Sequence, residues 1–413
     1  MSTGARLRMA RQARGLSQQQ LAGMAGVSRQ AVSAVESGQS DPSLRVALAL
    51  AQALGMTVDE LFGIEGAVPT VTAKLVGADH DGDRERTAGA GGLGQAGERV
   101  TLAPIGESFV ALPLVGPTVG RAGFLPAGGL IAAAAAPAST DPFSTDPLST
   151  APLSTAPFST ASVAVRPIGP PRPTLVVAGC DPALPLLEEP LGLLDPPIAF
   201  SWWPCASREA LRLAADGLVH AAGVHLSDRA GSYDGGPAGR ILAAGSEVIG
   251  FSAWREGLVL RPKVADQVAG VTDVVAGGLR LVNREPGAQA RSVLDRELAS
   301  IGVEGTRVPG YQTRATGHLQ VADAVAAGLA DVGVGSEPAA LAYRLAFIPL
   351  VAERFDLVIP AERVASREVG ALIKVLSSRW LLDQLASLPG YDATPCGQHI
   401  ATVVAGTGAS ASS

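Results

Sequence analysis

The sequence predicts a multidomain chain: an all-α unit of five helices, a low-complexity linker, and an α/β unit of two lobes. Three observations predict it. Helix-start signals and 3.6-residue apolar periodicity fill residues 4–63, a proline-bearing five-residue repeat occupies 139–162, and from Thr174 short apolar strands alternate with helical stretches. At 413 residues the chain exceeds one ordinary domain.

The N-terminal helices follow from their caps. Ser17 with Gln20 forms a capping box that starts a helix, and Gly26 in Ala25-Gly26-Val27 can take the left-handed conformation that ends it. Ser28 caps the next helix, which runs through Glu36. This is helix-turn-helix spacing. Leu21, Val27, Val32 and Val35 can face one core, which leaves Arg29, Gln30, Ser33 and Ala34 pointing outward. Asp41-Pro42 supplies an N-cap and a first-turn proline for a fourth helix bearing Leu44, Leu48 and Ala51, and Thr57 with Glu60 marks a fifth. Arg6, Arg8, Arg11, Arg14, Arg29 and Arg45 against Glu36 and Asp41 make residues 1–45 basic within a chain whose net charge is −6. Contact with nucleic acid is therefore expected to be local to this unit, because a protein that coats nucleic acid needs a broad positive surface.

Residues 66–97 are Gly, Asp, Arg and Ala-rich and read as a flexible linker. Residues 98–132 read as a small β-rich segment, since Arg99-Val100-Thr101-Leu102-Ala103 and Ser108-Phe109-Val110-Ala111-Leu112 alternate like a hairpin. Residues 133–172 read as a second linker. Their repeat, STDPF-STDPL-STAPL-STAPF, places proline where neither helix nor ladder tolerates it. From 174 to 400 the strands Leu175–Ala178, Val219–Val224, Leu279–Asn283 and Asp331–Val334 alternate with helices, which implies βαβ units and a mostly parallel sheet. Two long extended segments, Val248–Pro262 and Phe347–Pro360, interrupt that alternation as the paired crossings of a two-lobed, hinged domain would. Residues 401–413 read as a tail.

Four strand-to-helix turns lie where open α/β sheets place ligands. They are Ala178-Gly179-Cys180-Asp181-Pro182, Cys205-Ala206-Ser207-Arg208, Asn283-Arg284-Glu285-Pro286-Gly287, and Gly310-Tyr311 with Gly317-His318. Helix N-termini, hydroxyls and an Arg converging there favour a small anion. Asp181 and Ser207 are expected to cap their helices. His220 and His225 are five apart on a strand and face opposite sides, so no metal site is predicted from them. His318 fits either a ligand contact or an exposed helix start. Trp202-Trp203 is expected to pack between lobes, and Glu353, Arg354 and Asp356 fit either an ion-pair cluster at the crossing or a solvated face.

The run Arg11…Arg14-Gly15-Leu16-Ser17-Gln18-x-x-Leu21-Ala22-x-x-Ala25-Gly26-Val27-Ser28-Arg29, with Glu36-x-Gly38 and Pro42-Ser43-Leu44, resembles the phage-repressor, Cro-like (XRE) helix-turn-helix family. The resemblance implies that Gln18, Ser28, Arg29, Gln30 and Ser33 approach DNA and that Arg11 and Glu36 form a structural ion pair. The chemistry agrees, because Arg bonds guanine and Gln bonds adenine bidentately. Farther on, Ala178-Gly179-Cys180-Asp181-Pro182-Ala183-Leu184, Gly223-Val224-His225-Leu226, Asn283-Arg284-Glu285-Pro286-Gly287, Gly310-Tyr311, Glu353-Arg354-Phe355-Asp356-Leu357 and Leu388-Pro389-Gly390-Tyr391-Asp392 resemble a periplasmic-binding-protein-like domain of type II, similar to molybdate-binding proteins. That resemblance implies molybdate or tungstate as a bound effector, with sulfate, phosphate or an organic anion suited to the same donors. The candidate ligand contacts are Cys180, Ser207, His225, Arg284, Gly287 and Tyr311.

The expected function is a one-component regulator: a homodimer on an operator in double-stranded DNA, tuned by a small anion, with no cofactor. The alternative is an enzyme or accessory protein of molybdenum-cofactor metabolism. It lacks support, because there is no G-x-S-x-G elbow, Walker A loop, zinc-ligand spacing or nucleophile-base pattern, and no catalytic residue is predicted. Cys180, Cys205 and Cys396 form no C-x-x-C pair, which fits a reducing cytoplasm. Without an apolar leader or a membrane-length apolar run, no membrane association is expected.

Overall fold

The computed structural model describes residues 3–62, 70–76, 94–114, 125–133, 161–225, 241 and 244–403. Among them no helix is long and apolar enough to cross a membrane. The chain divides into two units, Met1–Pro69 and Thr70–Ser413.

The first unit contains α1 (Thr3–Ala13), α2 (Gln18–Ala25), α3 (Arg29–Glu36), α4 (Leu44–Ala53) and α5 (Val58–Phe62). The capping box forms as predicted: Ser17 Oγ accepts the Gln20 N–H at 3.2 Å, and Gln20 Oε1 accepts the Ser17 N–H at 2.8 Å. Gly26 ends α2 at φ 63°, and Ser28 Oγ accepts the Ala31 N–H to start α3. Leu7, Leu21, Val32, Val35, Leu50, Leu54 and Leu61 form one core. Helix α4 differs from expectation in two ways. Its cap is Ser43, whose Oγ accepts the Val46 N–H, so Asp41-Pro42 lies before the helix. Its buried face is Ala47, Leu50 and Ala51, while Leu44 and Leu48 are exposed. The core takes the neighbouring stripe Ala47, Leu50 and Ala51, which shares only Ala51 with the expected one.

The second unit opens with a closed five-stranded barrel of β1 (Val71–Leu75), β2 (Arg99–Ile105), β3 (Ser108–Pro113), β4 (Gly129–Ala133) and β5 (Ser162–Pro167). The expected hairpin is β2–β3. Two of the five strands fall in the predicted linkers: β1 in 66–97 and β5 in 133–172. Both carry the period-two pattern of a half-buried strand, with Ala73 and Leu75, and Val163 and Val165, turned inward. Their low-complexity neighbours hid it. The pentad repeat itself lies outside the described residues. Barrel residues Ile105, Val110 and Leu112 share a core with Leu211, Leu218 and Val219 of the α/β domain.

That domain is built on β6 (Thr174–Ala178), β7 (Ala199–Trp203), β8 (Ala221–Val224), β9 (Glu247–Leu260), β10 (Leu281–Arg284), β11 (Arg314–Ala315), β12 (Val332–Ser336), β13 (Ala346–Ile359) and β14 (His399–Thr402). The sheet order is β11-β10-β12-β9-β13-β8-β6-β7, with β14 beside β9. The first lobe holds β6, β7 and β8, and the second holds β10, β11 and β12. The expected crossings are β9 and β13, antiparallel 14-residue strands that run from one lobe into the other. Ile249 pairs with Leu357 in the first lobe, and Leu258 pairs with Ile348 in the second.

Candidate functional site

In the N-terminal unit, α3 presents Ser28, Arg29, Gln30 and Ser33 to solvent while Val32, Val35 and Glu36 are buried. The buried carboxylate anchors the arrangement. Arg11 donates through Nε to Glu36 Oε1 at 2.6 Å and through Nη2 to Oε2 at 2.9 Å, and Gln18 Nε2 donates to Oε2 at 2.9 Å. Arg11 also reaches the Leu16 carbonyl, which ties α1, α3 and the entry to α2 together. Burial would raise the Glu36 pKa, but the Arg11 and Gln18 hydrogen bonds outweigh it and hold it below the usual carboxylate range. Gln18 is thus positioned by the same pair.

The second cluster lies between the lobes. Cys180 follows β6, and its Sγ stands 3.3 Å from His225 Nε2. His225 follows β8; its backbone N–H reaches Ser207 Oγ at 3.4 Å, and its Nδ1 is hydrogen-bonded to Glu353 on β13. Phe355 packs flush beneath because Gly223 has no side chain: a Cβ there would meet the ring at 2.2 Å. From the second lobe, Arg284 ends β10 with both Nε and Nη2 on Glu285 at 2.8 Å and Nη1 against the His318 ring at 3.1 and 3.3 Å. His318 Nδ1 accepts the Ser336 N–H at 3.2 Å and lies 3.5 Å from Glu256 Oε1 on β9. Trp254 stands 5.9 Å, centroid to centroid, from each of the His225 and His318 rings.

Charges in this cluster are unequally matched. Burial opposes protonation of His225, yet Cys180 and Glu353 outweigh it and raise its pKa well above the ordinary value. Burial and the Arg284 guanidinium hold His318 far below it, so that ring is neutral. Asp181 is buried but satisfied, accepting from Ala183 N–H, Tyr391 OH and Ser252 OH at 2.8, 2.6 and 2.8 Å. Glu256 is buried with neither carboxylate oxygen in a well-formed hydrogen bond, the Trp254 indole being the donor that faces it, and burial pushes its pKa up to about 7. An unpaired buried carboxylate is costly and is the exception in native folds.

A family model described as Helix-turn-helix matches residues 7–61, and one described as PBP superfamily domain matches 191–377. An HTH-type transcriptional regulator of Methanocaldococcus jannaschii is 43% identical over 47 residues, 11% of this chain and 71% of that one. The chain belongs to the helix-turn-helix family and carries a PBP superfamily domain. The protein YvgK of Bacillus subtilis is 28% identical over 233 residues, 55% of this chain and 74% of its own length. The restriction-modification controller protein C.AhdI of Aeromonas hydrophila is 48% identical over 14% of this chain and 91% of its own, with a TM-score of 0.14. This helix-turn-helix protein is a DNA-binding regulator with a domain of the PBP superfamily.

Of the six ligand candidates of this helix-turn-helix protein, four come together: Cys180, Ser207, His225 and Arg284. The other two stand apart from the cluster. Gly287 is exposed in the turn after β10 at φ 88°, and the Tyr311 hydroxyl is committed to Asp295 at 2.6 Å, with Arg291 over its ring. Both follow turns that cap or brace their own lobe. Ser207 is the first residue of its helix, after Ala206, so its hydroxyl is free to receive His225. His220 accepts the Val176 N–H away from the cluster, as the strand alternation implies. Arg354 pairs with Asp356, whereas Glu353 turns to His225. Of the tryptophans, Trp202 lines the cleft mouth with Cys180, Arg284 and His318, and Trp203 belongs to the core below. Sequence reading missed Glu256. Its signal is a lone carboxylate in the apolar run Gly257-Leu258-Val259-Leu260 of a buried strand.

Proposed function

We propose that the protein is a transcriptional regulator that reads operator DNA with Ser28, Arg29, Gln30 and Ser33, positioned with Gln18, and whose grip on DNA is set by a small ligand between the lobes. The observation that carries this reading is the division of α3, whose inner face is consumed by the core and whose outer face offers a guanidinium and an amide to solvent. Arg29 suits guanine and Gln30 suits adenine in a major groove. Such domains bind as pairs on half-sites a helical turn apart, so the working species is a homodimer in the cytoplasm. The effector we favour is an oxyanion of the molybdate or tungstate type. The backbone N–H groups that open the helices Ser207–Ala215 and His318–Ala326 are donors of the kind it needs, and Arg284 would join them by giving up its hydrogen bonds to Glu285. Coupling then requires that the two DNA-binding states differ in affinity for the ion.

The test is a gel shift against DNA selected by the purified protein. Replacing Arg29 and Gln30 with Ala removes two base contacts worth about 1–3 kcal/mol each, so specific binding is lost while the melting curve is unchanged. Undiminished specific binding overturns the DNA face. Calorimetric titration with molybdate, tungstate, sulfate and phosphate tests the effector; silence from all four removes the oxyanion and leaves DNA reading intact.

A further inference from the structure

The cluster between the lobes is more than a set of anion donors. Cys180 Sγ and one nitrogen from each of His225 and His318 lie within 4.8 Å of one another, all from buried residues. Thiolate and imidazole are the donors that zinc and its first-row neighbours prefer over oxygen-seeking calcium or magnesium.

The orientation of the two rings is the second observation. His225 presents Nδ1 to Glu353 and Nε2 to Cys180. His318 presents Nδ1 toward Glu256 at 3.5 Å. A carboxylate behind the far nitrogen is how metal-bound histidines are held, because it fixes the Nδ1–H tautomer and leaves the Nε2 lone pair for the ion. The pattern is complete on His225; on His318 the carboxylate stands farther off, Nδ1 accepts the Ser336 N–H, and Arg284 Nη1 lies 3.3 Å from Nε2. A metal on His318 Nε2 requires the Nδ1–H tautomer, which turns Nδ1 from Ser336 to Glu256 and displaces Arg284 Nη1 from the ring.

Glu256 supplies the third observation. It is fully buried, and neither oxygen is in a well-formed hydrogen bond. The cations nearest to it are committed elsewhere: Arg284 is chelated by Glu285, and His225 is paired with Glu353. An added cation would balance the surplus carboxylate.

We propose that the floor of this cleft is a site for one divalent transition cation of the zinc type, held by Cys180 Sγ and the Nε2 atoms of His225 and His318, with Glu353 and Glu256 behind the rings. Binding releases the Cys180 thiol proton and the Nε2 proton of His225, and no electrons are transferred. Three protein ligands leave the fourth position of a tetrahedral ion open toward the cleft, as in sites that receive an exogenous ligand rather than purely structural ones. This goes beyond the effector reading and does not depend on DNA binding.

The full-length chain, stripped with chelator, is titrated with cobalt(II) and then zinc. One equivalent of cobalt is expected to give thiolate charge-transfer and tetrahedral d–d absorption that zinc abolishes. Cys180→Ser should lose the charge-transfer band, and Glu353→Gln should weaken zinc binding about 10–100-fold. Zinc should also slow alkylation of Cys180 by iodoacetamide in the unmodified chain, read by mass spectrometry, a result that requires no variant to fold. Absent cobalt bands, or Cys180 alkylation unaffected by zinc, overturn the proposal. Operator binding measured on the same samples separates the two readings: metal without DNA binding overturns only the regulator, and DNA binding without metal overturns only this site.

Discussion

Each unit buries a glutamate beside an arginine, and the two are treated oppositely. Glu36 has both oxygens hydrogen-bonded, by Arg11 and Gln18, and its charge is stabilised. Glu256 has neither oxygen in a well-formed hydrogen bond, its potential partner Arg284 is taken by Glu285, and its charge is disfavoured. A satisfied buried charge is structural, since everything it needs is in the fold. An unsatisfied one marks where the fold is completed from outside.

Breaking the first cluster should give the largest effect. Arg11→Ala strands Glu36, and the melting transition of the N-terminal unit should lose about 3 kcal/mol while that of the second unit is untouched. A loss of a few tenths would show that the pair is solvent-screened. Breaking the second cluster should have the opposite sign: Glu256→Gln should stabilise the α/β domain at pH 8 by about 2 kcal/mol, measured by denaturant unfolding without added metal. Destabilisation there would mean that Glu256 has a partner in solution.

The pH dependence sharpens the contrast. The folded-state pKa of Glu36 lies below the usual 4.5, so its contribution is present above 4.5 and is lost as pH falls through the folded value. The pKa of Glu256 is about 7 against a usual 4.5, so its penalty is absent below 4.5, grows as pH rises and is complete above 7. Acidification from pH 8 to 5 should therefore erase the stability difference between the native α/β domain and Glu256→Gln while the helical unit keeps its Glu36 contribution, readable in calorimetric scans of both chains; a difference unchanged with pH would remove the distinction. The smallest change is Ser17→Ala, which removes one side of the capping box and should cost the helical unit about 1 kcal/mol.

The same contrast explains what could be read from residues alone. Ser17, Gly26 and Ser28 act on neighbours three or four residues away, so α2 and α3 were legible to the residue. The two lobes and their crossings were legible from alternation and length. The fourth helix was misplaced because Asp41-Pro42 and Ser43 are competing caps. Strands β1 and β5 were passed over because composition outweighed five or six alternating residues. The cleft cluster was legible only in part, since Cys180, His225 and Arg284 sit at recognisable turns, whereas Glu256 and Glu353 enter through the register of β9 against β13. Register across a sheet is not written locally.

The crossing strands also set an order of assembly. All the pairings of the second lobe are made between Ser252 and Phe355 or their near neighbours along the chain, so that lobe can close as soon as β13 has emerged from the ribosome. The first lobe begins earlier and finishes later, because β8 waits for the far end of β13 and β14 comes last. His225 must wait 128 residues for Glu353. Contacts of such separation form late, so the lobe synthesised second is complete first, and the thiol of Cys180 stays uncovered during translation until the last long strand arrives.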